Sequence, residues 1–110
     1  MKETFHFLKE LRVHNNREWF NAHKEEYTRL RKHFETSVEK LIALMGEKDE
    51  ELHGLEASSC IFRIYRDIRF SPDKTPYKGH FAAYIAKGGK NSPRAGYYLH
   101  IEPGNCLLCG

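Results

Sequence analysis

The sequence predicts an α+β domain with two N-terminal helices packed on a small, mostly antiparallel sheet. Two observations carry that expectation. Up to Met45 apolar residues recur at three- and four-residue steps, and from Ile61 the period switches to two. A chain of 110 residues with 40% hydrophobic and 30% charged content also suits a single domain, residues 1 to 110, around one modest core.

The elements follow in order. Phe7, Leu8 and Leu11 come after Thr4 at helical spacing, and the pattern stops at His14-Asn15-Asn16, which predicts a short first helix. Asn16 is placed to cap a second helix, because its side-chain oxygen accepts from the free backbone amides ahead, and Glu18 suits the positive end of the dipole. Trp19, His23, Tyr27, Leu30, Phe34, Leu41 and Met45 then form one stripe that runs to Gly46, where a left-handed stop is expected. Fewer than four clean heptads are present, so the stripe reads as a helix packed on a sheet and not as a coiled-coil seam. The polar run Glu47 to Ser59 reads as a connector within the domain.

From Ile61 a half-buried strand is expected, with Phe62, Ile64, Ile68 and Phe70 on one side and Arg63, Tyr65, Asp67 and Arg69 on the other. Ser71-Pro72-Asp73-Lys74 has turn chemistry, and Pro76 holds Thr75 extended. His80 to Ala86 and Gly96 to Glu102 read as a hairpin around a glycine-rich loop. Phe81, Ala83 and Ile85 then share an apolar face with Tyr97, Leu99 and Ile101. The opposite face collects His80, Tyr84, Tyr98, His100 and Glu102.

Composition narrows the classes of function. No apolar run approaches the roughly 20 residues that span a bilayer, and MKETFHFLKELR lacks the apolar region of a secretory signal. No membrane partner is expected. Three cysteines, an odd number, fit a reducing compartment, so the expected location is the cytoplasm, and the single Cys106-x-x-Cys109 reads as coincidence. The net charge of +3 is unevenly placed. Residues 1 to 59 hold ten Lys and Arg against twelve Asp and Glu, and residues 60 to 110 hold eight against three. An anionic partner therefore belongs to the second half.

The densest stretch, Cys60 to Phe81, carries five cationic side chains, two aspartates and two tyrosines. It holds no nucleophile and base pair, phosphate loop or complete metal box, so neither a reaction nor a cofactor is assigned. Arginine forks match phosphate and carboxylate, and lysine adds a compact charge. Arg63 and Arg69 are expected to grip a small anionic, phosphate-bearing ligand, with Lys74 and Lys78 closing from the turn and Asp67 orienting Arg69. Tyr65, His80 and His100 complete the candidate face, while Arg66, on the apolar parity, is expected to snorkel or pair structurally and not to bind ligand. His80, His100 and Glu102 are metal-capable in type, but their spacing is weak evidence and general acid or base work is the more economical histidine role. The alternative is single-stranded nucleic-acid binding, with bases stacked on Tyr65, Tyr84 and Tyr98, although no recognition helix or ribonucleoprotein motif is visible.

These residues also carry a resemblance. Phe7-Leu8, Leu11, the run Asn15 to Phe20 and Tyr27 match it in the first half. Phe62 to Phe70, Asp73 to Lys78, Tyr97 to Ile101 and Pro103-Gly104 match it in the second. Over essentially its whole length the chain resembles the domain of unknown function 2461 family, uncharacterised and mainly bacterial. The resemblance implies no reaction or ligand. It does imply that relatives continue well past the position of Gly110, so that this chain is the N-terminal part of a longer domain. A sheet edge would then lie exposed and open to self-association, and a structural fragment without independent activity is the third expectation.

Overall fold

The computed structural model describes residues 2 to 109 and has the expected α+β architecture. Helix α1 (Lys2–Val13) buries Thr4, Phe7, Leu8 and Leu11 on one face, as the spacing predicted. Asn16 caps α2 (Arg17–Ala22) by accepting from the Trp19 amide at 2.8 Å. Helix α3 (Lys24–Gly46) buries Leu30, Phe34, Val38, Ile42 and Gly46.

The expected single second helix is thus two. The break falls at His23 (φ −113°, ψ 17°), whose ring stacks on Trp19 at 4.0 Å and bonds the Trp19 carbonyl at 2.8 Å. Gly46 is not left-handed either. Positive φ occurs at Gly54, Gly88, Gly89 and Gly104. Glycine suits position 46 because a Cβ there would lie 3.1 Å from the His53 ring, which bonds the Gly46 carbonyl at 2.6 Å.

The hairpin has the predicted register. Strand β1 (Phe81–Ile85) pairs antiparallel with β2 (Tyr97–Ile101), matching Phe81 to Ile101, Ala83 to Leu99 and Ile85 to Tyr97. A third strand, β3 (Leu107–Cys109), continues the antiparallel sheet in the order β1-β2-β3. The inner sheet face meets α1 and α3 in one core, with Phe81, Ala83 and Ile85 packed among Leu8, Leu30, Phe34 and Val38.

The expected strand over Ile61 to Phe70 is corrected. Only single bridges form, Ile61 to Ala83 and Tyr65 to Tyr77. The chain first runs beside β1, where Phe62 donates to the Ala82 carbonyl, and then folds back on residues 76 to 78, where Arg66 donates to the Pro76 carbonyl and Lys78 to the Ile64 carbonyl. Proline at 76 has no N–H to extend this ladder. Burial still alternates weakly through Arg69 without a ladder to support it, and Phe70 stands 92% exposed. The hydrogen-bonded turn falls at Ile68 to Ser71 and not at 71 to 74. Asp73 instead closes a local turn by accepting from the Thr75 amide and hydroxyl.

Candidate functional site

Asn15 begins the site. Its side chain donates to the Tyr77 carbonyl at 2.9 Å and accepts from the Tyr77 amide at 3.0 Å, standing in for a strand partner. The Tyr77 ring stacks on Phe20 at 4.1 Å, so the 65–77 segment is pinned to the helices through backbone and ring. Lys78 and His80 leave this anchored stretch toward solvent.

Around Phe62 three cations gather. The Lys78 ammonium lies 5.7 Å from the Phe62 ring centre. Burial first, and then the charges of Arg63 and Lys90, push its pKa below the ordinary lysine value. Arg63 takes part in none of the ion pairs among the described residues. Lys90 donates to the Ile61 carbonyl at 3.2 Å, which fixes its side chain over the same edge. Asp67 feels Arg63 but is paired with Arg69, so among the described residues these like charges have no ion-pair partner of their own, which favours an incoming anion.

Next to this trio lies a polar row on the outer face of β2. A carboxylate only accepts, so His100 donates from Nε2 to Glu102 at 2.8 Å, and in the neutral imidazole Nδ1 accepts from the Tyr98 hydroxyl at 2.9 Å. Arg12 of α1 ties down the other Glu102 oxygen at 3.0 Å. The His100 hydrogen bond holds the Glu102 carboxyl below its usual range. Burial pushes the Tyr98 phenol up, so it is a proton donor and not a phenolate. His80 stacks on His100 at 4.3 Å, beside an open cleft of about 350 Å³ lined by Arg12, Asn15, Arg66, Lys78, His80 and Glu102.

Burial, His100 and Lys78 together lower the pKa of His80 from its ordinary 6.5. The unfolded chain therefore binds the proton more readily than the folded one. Stability attributable to His80 is full above about pH 6.5 and declines as pH falls toward the lowered value. A series of urea midpoints between pH 7.5 and 5 is expected to fall toward acid in the parent and to flatten in His80→Gln; equal slopes in the two contradict the assignment.

The eight candidate residues thus separate. Arg63 and Lys78 come together, and so do His80 and His100. Arg69 is committed to Asp67 by bonds of 3.0 and 3.1 Å, which draw the Asp67 carboxyl down to about 2. Lys74 donates to the Ile68 carbonyl at 2.6 Å and closes its own loop. Tyr65 packs between Phe20 and Tyr77 with 46% of its surface exposed. Arg66 braces the turn as expected, bonding the Thr75 carbonyl and hydroxyl and pairing with Asp73 at 3.3 Å. Sequence reasoning missed Lys90, Arg12 and Asn15. The pairing of residues 59 to 61 with 89 and 90, which positions Lys90, leaves no periodic signal.

Fold and surface together define an α+β domain with a cationic, histidine-bearing sheet face. The chain belongs to the family described as conserved hypothetical protein (DUF2461), whose family model matches residues 3–110. No curated protein and no solved structure matches it. Among the described residues no helix is long and apolar enough to cross a membrane.

Proposed function

We propose that this domain recognises a small anionic, phosphate-bearing ligand at the surface formed by Arg63, Lys78 and Lys90, with His80 and His100 at its margin. The observation that supports this is the convergence of three cations around Phe62 with no carboxylate paired to them. Arg69 is left outside the contact set because its charge is paired with Asp67, and Lys74 because it is not among the charges that act on Lys78.

Charge-assisted hydrogen bonds contribute about 1.5–3 kcal/mol each, so removing two is expected to weaken binding about a hundredfold or more. The experiment is a calorimetric titration of pyrophosphate into the parent, Arg63→Ala/Lys78→Ala and Arg69→Ala. The double variant is expected to lose binding while Arg69→Ala retains it. Unchanged affinity in a double variant that unfolds at the parent midpoint overturns the reading.

A second reading, single-stranded nucleic-acid binding, is favoured by one observation: Phe70 is exposed with the Arg69 guanidinium 5.7 Å from its ring centre. Oligothymidylate in the same titration separates the two. Binding that is steeply salt-dependent and lost on Phe70→Ala, with pyrophosphate inert, selects the second. We also propose self-association through the outer edge of β3, beside the exposed Leu107 and Leu108; monomer alone in sedimentation velocity contradicts this.

A further inference from the structure

We propose that the hollow between α3 and β2 binds a small amphiphile with a carboxylate head, of the medium-chain fatty-acid class. It measures about 370 Å³ and shares no lining residue with the cationic surface, so it stands independently of the phosphate reading. Ligand pockets of roughly 300–1,000 Å³ are typically apolar with a few placed polar groups.

Its shape follows from helical spacing. Phe34 and Leu41 are seven residues apart on α3 and face Leu99 and Ile101 of β2, giving an apolar floor. His33, Ser37 and Lys40 form the adjacent row and make a polar lip. Seven residues of helix extend about 10 Å, which suits a short acyl chain lying along the axis.

The lip also selects the head group. Ser37 donates its hydroxyl to the His33 carbonyl and so asks for no polar ligand atom. At the His33 end Glu3 is paired with Arg29 and offers no free charge. Lys40 joins none of the ion pairs among the described residues, and no carboxylate lines the hollow. A carboxylate at the Lys40 end meets a cation without repulsion, while an ammonium head meets only like charge.

The test is methyl NMR on the 110-residue chain with decanoate below its micellar concentration, and with decylammonium and decanol as controls. Decanoate is expected to shift the Leu41, Leu99 and Ile101 methyls. Lys40→Glu is expected to weaken it about fivefold, the upper scale of one exposed charge pair. Leu41→Trp, which fills the hollow, is expected to abolish binding with the hairpin amides unmoved. Unmoved methyls overturn the proposal, as does a Lys40→Glu chain that binds as tightly as the parent. Equal binding of decanol and decanoate overturns the head-group assignment, and methyl shifts that follow protein concentration instead of decanoate assign the hollow to a second copy.

Discussion

Phe20→Ala is expected to destabilise the fold by about 3–5 kcal/mol, the usual loss when a fully buried phenylalanine is cut to alanine. The Phe20 side chain is 1% exposed, stacks on Tyr77 at 4.1 Å and leans on Tyr27 at 5.0 Å. It lies on α2 but contacts the segment that leads into Lys78. Its loss opens a cavity and also unpins that segment from the helices. Domains of this size are stable by only about 5–15 kcal/mol, so the variant is expected to melt roughly 15 °C or more below the parent. Phe70→Ala is the control, because an aromatic 92% exposed is expected to change stability by less than about 0.5 kcal/mol. Urea denaturation followed by the single tryptophan, Trp19, checks both. Similar losses in the two variants contradict the packing described.

Gly89→Ala is expected to cost about 2–3 kcal/mol and to weaken anion binding about tenfold with it. Gly89 has φ +84°, where an L side chain adds about 1–2 kcal/mol of strain. A Cβ there would also sit 2.6 Å from the Ser59 carbonyl oxygen, which is backbone and cannot swing aside. The loop must retreat, and the Lys90 amide then loses its 2.9 Å bond to that carbonyl, another ~1 kcal/mol. Lys90 leaves the Ile61 carbonyl at the same time, so the cationic trio loses a member. Gly88→Ala separates strain from clash. Its φ is +95°, but its Cβ would meet only the Ser92 side chain at 3.4 Å. Thermal melts and pyrophosphate titrations of both variants are the check; equal effects at 88 and 89 contradict the role given to the Ser59 contact.

The hairpin was legible because β2 is buried on one face and the bulkiest apolar residues of β1, Phe81 and Ile85, share one parity. Residues 81 to 85 and 97 to 101 therefore disclosed their register before any coordinates. The first helix and the Asn16 cap were legible for the same reason, one buried face and one local hydrogen bond. The break at His23 was not. Trp19, His23 and Tyr27 keep facing the same side across it, so the periodicity runs on although the backbone does not. Residues 61 to 70 misled in the opposite way. Their alternation in burial is real through Arg69, but the partner segment carries Pro76, and the ladder is too broken to remain a strand. Strand β3 is three residues long and exposed, so nothing buried wrote a pattern there.

The site was legible in part. Charge density pointed to the segment that holds Arg63 and Lys78, and residue type flagged the stacked pair His80 and His100. What sequence cannot show is which charges are already paired. Asp67 takes Arg69, while Lys78 keeps two cationic neighbours. Lys90 enters only because Gly89 lets residues 59 and 89 approach.

The account rests on three cations acting as one anion site, and residue-by-residue NMR mapping of bound pyrophosphate reads that site out. Saturable shifts are predicted at Arg63, Lys78 and Lys90 and on the Phe62 ring, fading at Arg69 and Lys74. Shifts centred on Arg69 and Lys74, or none that saturate, would contradict it.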